Sequence, residues 1–211
     1  MVSFALSTPR RGKKMILDAE GSIVSVAALE ALYGKPGWVA LAGQADRLIG
    51  PYRELIAASP YVTLATVGSE GVDCSPRGGT PGFVKVMDDT TILIPNGDGN
   101  NRNETLRNIA EDARVALHFL IPGCGESLRI KGRASISAAK TLTDHFKIGE
   151  NRLRTVIIVN IDRVYFHCAK SINRAKLWDS STHVDRKTLP SVNTMLAAVQ
   201  WQRCFGGLAV T

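Results

Sequence analysis

The stretch Cys74–Ile109, CSPRGGTPGFVKVMDDTTILIPNGDGNNRNETLRNI, holds strand pattern, glycine turns and convergent polar groups in one unit. Arg77 is followed at once by Gly78 and Gly79, small enough to let a ligand approach the backbone closely. Pro81-Gly82 then turns the chain into the apolar alternation of Phe83, Val84 and Val86, where a strand begins. After the Asp88-Asp89 turn, Ile92 to Ile94 forms a second short strand, and residues 95–101, Pro-Asn-Gly-Asp-Gly-Asn-Asn, are nearly all turn chemistry. Leu106, Ile109, Ala110 and Ala113 recur at the spacing of one helical face, and Asn101 with Glu104 three residues on resembles a capping box. That start places Arg102 in the first turn, where a cation opposes the helix dipole by up to ~1 kcal/mol. A phosphate at the helix N-terminus would offset the penalty; a solvated arginine on a surface helix fits the local pattern equally well.

Outward from this stretch the chain reads as β-structure. Residues 61–67, YVTLATV, are rich in β-formers; Gly68-Ser69-Glu70-Gly71 turns them, and Val72 to Ser75 returns as the second arm of a hairpin. Residues 114–120 form the next strand, Pro122-Gly123 ends it, and Ser127–Ser137 is long and strictly alternating. There Leu128, Ile130, Gly132, Ala134 and Ile136 share one face, and Arg129, Lys131 and Arg133 share the other, where they must be solvated, paired or aimed at an anion. Residues 138–147 read as a helix and 155–166 as the last long strand. Six or more antiparallel strands with few long crossovers predict a closed or partly closed barrel, not a parallel doubly wound sheet. Ahead of them, Ser25 caps a helix from Val26 to Tyr33 that Gly34 stops, and a second helix runs through Arg53 to Ala58 with Pro51 in its first turn. Residues 1–24 have no period and carry the basic cluster Arg10-Arg11-Lys13-Lys14, which reads as a solvated, partly disordered tail. Leu196 to Val199 is expected to belong to a short last helix.

At 211 residues, with 45% apolar and 21% charged residues, the chain has the size and composition of one domain with terminal additions. No run is long enough to cross a bilayer, and Met1 to Leu6 is too short for a secretory leader, so a cytoplasmic location is expected and membrane association is not. Cys74, Cys124, Cys168 and Cys204 lie far apart without CxxC or histidines at ligand spacing, which indicates neither a metal site nor a disulfide framework. The net charge of +7 suits an anionic ligand. Nucleic acid is not expected as a partner, because the cations are scattered and no aromatic-interleaved basic groove is visible.

Four blocks in order carry a resemblance: Ser75-Pro76-Arg77-Gly78, Gly99-Asn100-Asn101-Arg102, Leu128-Arg129-Ile130-Lys131-Gly132-Arg133, and His167-Cys168-Ala169-Lys170 with Arg174 and Leu177-Trp178. Together they resemble the FMN-binding split-barrel flavoproteins related to pyridoxamine 5'-phosphate oxidase, over roughly residues 25 to 190. The resemblance implies a mainly β fold with flanking helices (α+β), a six-stranded antiparallel split β-barrel of FMN-binding type. The division that follows is a tail at 1–24, N-terminal helices at 25–59, the FMN-binding barrel at 60–180 and a C-terminal tail with a short helix at 181–211.

The resemblance also implies a homodimer with FMN at the subunit interface and a small-molecule substrate. Arg77 and Arg102 would grip the phosphate, with Ser75 and Asn101 adding hydrogen bonds. Gly78 and Gly79 would bring backbone N–H groups to the isoalloxazine edge, and Pro95 and Asn96 would line the same pocket. Ser127 and Arg129 would lie near the flavin, and Lys170, Arg174 and Trp178 would close over the ring or substrate from the second subunit. From the residues alone, Trp178 reads equally as core and the cations as solvated. No nucleophile or serine–histidine–acid arrangement is visible, so no catalytic residue is assigned. Asn96 stands where the family has an aspartate, Gly79-Thr80-Pro81 replaces a Gly-Asp-Pro-Pro-like turn, and Ala175 replaces a serine. With no recognisable arginine–histidine element after Trp178, pyridoxamine phosphate is not the expected substrate. The expectation is an FMN-dependent oxidoreductase; F420 or haem on the same fold, or a non-catalytic flavin-binding protein, are the alternatives.

Overall fold

The structure, a computed structural model, describes residues 22–97, 103–146 and 153–205. The chain divides into two compact units, Met1–Ala42 and Gly43–Thr211. In the first, helix α1 (Val26–Tyr33) begins where the sequence predicts. The Ala28 amide donates to Ser25 Oγ at 3.1 Å, and Gly34 ends the helix with a φ of 74°. Helix α2 (Trp38–Ala42) follows.

The second unit is built on one antiparallel sheet. Its strands are β1 (Gln44–Ala45), β2 (Tyr61–Gly68), β3 (Gly71–Gly78), β4 (Lys85–Val86), β5 (Thr91–Asn96), β6 (Arg114–Leu120), β7 (Ser127–Ser137) and β8 (Thr155–His167). Hydrogen bonding runs in the order β3-β2-β6-β7-β8-β5-β4, with β1 added against β8. The sheet therefore has eight strands where six were expected. Strand β1, two residues long, is too short to show a period in sequence, whereas β4, also two residues, lies where the alternation at 83–86 marks a strand. The six longer strands are likewise marked in the sequence. The class, mainly antiparallel β with flanking helices in a split-barrel arrangement, is as expected.

The core follows from that alternation. Val62, Leu64 and Thr66 of β2, Val115, Leu117 and Phe119 of β6, and Leu128, Ile130 and Ala134 of β7 are all buried, and their neighbours face outward. Helix α3 (Gly50–Ala58), with Pro51 in its first turn, adds Tyr52 and Ile56 to the same core. Helix α4 (Glu104–Glu111) adds Ile109, and its Asn108 Nδ2 donates to Thr66 Oγ1 at 3.0 Å, which satisfies the buried threonine.

Strand β8 changes phase midway. Ile157, Val159 and Ile161 are buried, then Val164, with the exposed pair Asp162-Arg163 between them. The register with β7 jumps from Lys131–Arg163 to Gly132–Ile161, leaving Asp162 unpaired as a β-bulge. Gly132 opposite is obligatory, since a Cβ there would overlap the Asn160 carbonyl oxygen.

Three local expectations need correction. The helix read at 138–147 is a single turn, α5 (Lys140–Thr143), held by the Lys140–Asp144 ion pair. The C-terminal helix, α7 (Val192–Phe205), is a 14-residue element and not a short one. Helix α4 starts at Glu104, so the start read at Asn101 is two residues early. Asn103 holds a left-handed φ of 51° that stops the helix from extending backwards, a conformation asparagine tolerates better than most residues.

Candidate functional site

The site is built on the period of two in edge strand β3. Asp73, Ser75 and Arg77 occupy its half-buried face, while Val72, Cys74 and Pro76 are exposed. The start of α4 packs over that face and brings Thr105, only 1% exposed, against it. A directed chain of hydrogen bonds results. Arg77 Nη2 donates to Thr105 Oγ1 at 3.0 Å, Thr105 Oγ1 donates to Ser75 Oγ at 3.2 Å, and Ser75 Oγ donates to Asp73 Oδ2 at 2.7 Å. Arg77 Nη1 donates to the Pro76 carbonyl at 2.8 Å.

Arg77 Nε is buried and has no partner among the described residues. A buried N–H of a charged group left unpaired costs about 1–3 kcal/mol or more, so this corner has a standing demand for an acceptor. Burial pushes the Arg77 guanidinium below its ordinary pKa, and the charge of Asp73 acts against that shift. The side chain remains a cation. Asn103 makes no side-chain bond to the first turn of α4, so the N-cap side chain does not compete there for an incoming anion. A forked cation, two hydroxyls and a helix start fit the phosphate of a nucleotide-like cofactor. Asn101 and Arg102, the other half of the expected grip, lie outside the described residues. With α4 starting at Glu104, Arg102 precedes the helix instead of occupying its first turn.

A cavity of about 620 Å³ opens directly after Arg77, with Gly78, Gly79, Phe83, Lys85, Pro95 and His145 in its wall. Gly79 must lack a side chain because a Cβ would stand 2.8 Å from Phe83 Cβ. Its N–H donates to the Pro60 carbonyl at 3.0 Å, so this amide is already engaged and does not face a ligand as expected. Asn96, at the end of β5, donates from Nδ2 to Thr155 Oγ1 at 3.3 Å.

The remaining expected residues form a second polar region on the outer face of β6, β7 and β8. Ser127 is 2% exposed, and its Oγ lies 2.8 Å from His118 Nε2. The Arg129 guanidinium sits 5.4 Å from the centre of the Tyr165 ring, a cation–π contact. Burial first, then the charges of Arg129 and His167, push the His118 imidazole below its ordinary pKa. Just beyond β8, helix α6 (Lys170–Arg174) leads to Trp178, whose indole N–H donates to the Cys124 carbonyl of the same chain at 2.7 Å. The turn it meets is fitted to α6 at Gly125, where a Cβ would stand 2.6 Å from Ala169 Cβ. Lys170 and Arg174 are exposed, and neither has a partner among the described residues.

The structure thus brings Ser75 and Arg77 together, sets Gly78, Gly79 and Pro95 around the adjoining cavity, and ties Asn96, Ser127, Arg129 and Trp178 to partners of their own. Sequence reasoning missed Asp73 and Thr105. Asp73 was legible, since it stands two and four residues before Ser75 and Arg77 and so shares their strand face. Thr105 was hidden, because a threonine at a helix start looks like a surface residue until α4 is packed.

The sequence matches the pyridoxamine 5'-phosphate oxidase family over residues 50–168, more than half of the chain. The match spans α3 to the end of β8 and stops before Lys170, Arg174 and Trp178. No curated protein matches. Among solved structures, HupZ of Group A Streptococcus is similar at 17% identity and a TM-score of 0.47, covering 56% of this chain and 91% of its own. General stress protein 26 of Bacillus anthracis is similar at 16% identity and a TM-score of 0.42, covering 54% and 88%. An F420 reductase is similar at 18% identity and a TM-score of 0.41, covering 57% and 98%. With its alternating strands, antiparallel split-barrel sheet and matched residues taken together, this chain belongs to the pyridoxamine 5'-phosphate oxidase family.

Proposed function

We propose that this protein is an FMN-binding flavoprotein that works as a homodimer and as an oxidoreductase on a small molecule. The observation that carries the reading is the buried Nε of Arg77, without a partner among the described residues, beside Thr105 and Ser75 at the start of α4 and next to a cavity of about 620 Å³. Arg77 and Arg102 hold the phosphate, Ser75 and Asn101 orient it, and the wall at Gly78, Gly79 and Pro95 receives the ring. Bound FMN supplies hydride transfer at its ring, while the chain supplies position, charge and exclusion of water.

Two features support a site completed by a second copy. Lys170 and Arg174 are exposed cations without partners among the described residues, well placed by sequence to serve a neighbour's flavin. Val192, Met195, Leu196 and Val199 of α7 are about half exposed or more, an apolar surface of the kind that association covers. Among the described residues no helix is long and apolar enough to cross a membrane.

The reading is tested on purified full-length protein. A two-banded yellow absorption spectrum, with FMN identified by mass after denaturation, is the expected result. A sharp Soret band, or F420 in the released fraction, overturns the cofactor assignment. Sedimentation at micromolar concentration is expected to give a dimer, and a monomer that retains FMN stoichiometrically overturns the shared site.

A further inference from the structure

We propose that Asp73 is an internal counter-ion that competes with a ligand phosphate for the Arg77–Thr105–Ser75 donors, and so sets how strongly the site distinguishes phosphorylated from unphosphorylated flavin. The inference rests on the FMN reading above and adds a residue that the resemblance does not assign.

The direction of the hydrogen bonds carries it. Ser75 gives its only hydroxyl proton to Asp73 Oδ2 at 2.7 Å, Thr105 gives its own to Ser75 Oγ, and Arg77 Nη2 gives one to Thr105. Each hydroxyl has a single proton to give, so a chain ending on a carboxylate leaves neither Ser75 nor Thr105 able to donate to an anion. A phosphate that recruits those hydroxyls must turn their protons away from Asp73. Arg77 Nε stands apart from the chain, buried and without an acceptor among the described residues, so one donor is held ready while two are held back. The charge of Asp73 also favours the half-buried guanidinium, which burial disfavours. A carboxylate this close to a phosphate site repels a dianion as well as competing for its donors. An unphosphorylated flavin meets neither effect. The net result is a grip that stays ordered without a ligand and accepts only a group charged strongly enough to displace its own carboxylate.

The test uses the full chain stripped of flavin, with Asp73→Asn and Asp73→Ser as variants and FMN and riboflavin as probes in fluorescence-quenching titrations. Asparagine still accepts from Ser75 but carries no charge; serine removes the acceptor geometry as well and serves if asparagine perturbs folding. Expected are a roughly tenfold gain in FMN affinity for Asp73→Asn, with riboflavin affinity unchanged within about twofold. The flavin-free variant is expected to melt earlier than the parent and to gain more from added FMN, a reversal that a purely structural role would not produce. Equal gains for both flavins, or an FMN affinity that is unchanged or lower in both variants, overturn the counter-ion role while leaving FMN binding intact. A parent protein that binds neither flavin overturns the FMN reading and this proposal together.

Discussion

Two polar regions of the barrel use similar residues to different ends. At the β3–α4 corner, Asp73, Ser75, Thr105 and Arg77 form a chain whose last member keeps a buried N–H without an acceptor among the described residues. On the outer face of β6 to β8, His118 is matched to Ser127, Arg129 to Tyr165, and the nearby Trp178 to Cys124. The first region has binding capacity left over, whereas His118, Arg129 and Trp178 of the second are engaged within the chain. Side-chain identity alone does not separate a site from a satisfied surface. The count of donors against acceptors does.

The largest effect expected from this contrast is at Arg77. Arg77→Met should weaken FMN binding by about a hundredfold, the loss of two charge-assisted bonds, while unfolding free energy stays within ~1 kcal/mol because a poorly satisfied buried charge has also gone. Titration with FMN and urea denaturation read the two quantities separately, and a large loss of stability with little loss of affinity would make the corner structural. Ser127→Ala should behave oppositely, costing ~1 kcal/mol of stability by stranding His118 and leaving FMN affinity within about threefold. Loss of flavin from that variant would place the second region inside the site and erase the contrast. Arg129→Met should cost ~0.5–1 kcal/mol, the worth of its contact with Tyr165, again measured by urea denaturation.

The smallest effect is a slope with pH. The folded state holds the His118 imidazole below its ordinary pKa of 6.5, so protonation favours the unfolded chain. The contribution is fully present above that value and is lost as pH falls through it towards the folded pKa. His118→Asn should therefore flatten the decline in urea midpoint between about pH 7.5 and 5.5. An identical decline in parent and variant would assign it to other groups.

Much of this was legible from residue order. The alternation in Tyr61–Val67, Arg114–Leu120 and Ser127–Ser137 marked the strands and their buried faces, because a half-buried sheet forces a period of two on the chain. Arg77 and Ser75 were marked by the family blocks, and the structure brings them together. What escaped notice depends on distance in sequence. Thr105 reaches Ser75 across 30 positions, and Pro60 engages the Gly79 amide from 19 positions away, so neither partner has a local signature. The early start read for α4 has a different cause: the asparagines at 100, 101 and 103 offer several equivalent caps, and only the left-handed φ of Asn103 selects one.

The bulge in β8 bears on how this chain can change length. Asp162 lets one continuous strand present its even-numbered residues inward after its odd-numbered ones, so the two ends of β8 serve opposite parities. Deleting that single aspartate would make Gly132–Ile161 and Lys131–Arg163 consecutive pairs of a regular ladder, with Val164 still inward and Tyr165 still beside Arg129, whereas losing a paired residue such as Asn160 would turn one side of the gap to the opposite face. The same excision two residues beyond His167 would cross no ladder. Tolerance to insertion and loss along this strand is thus governed by the count of residues on either side of one acidic side chain, not by what those residues are.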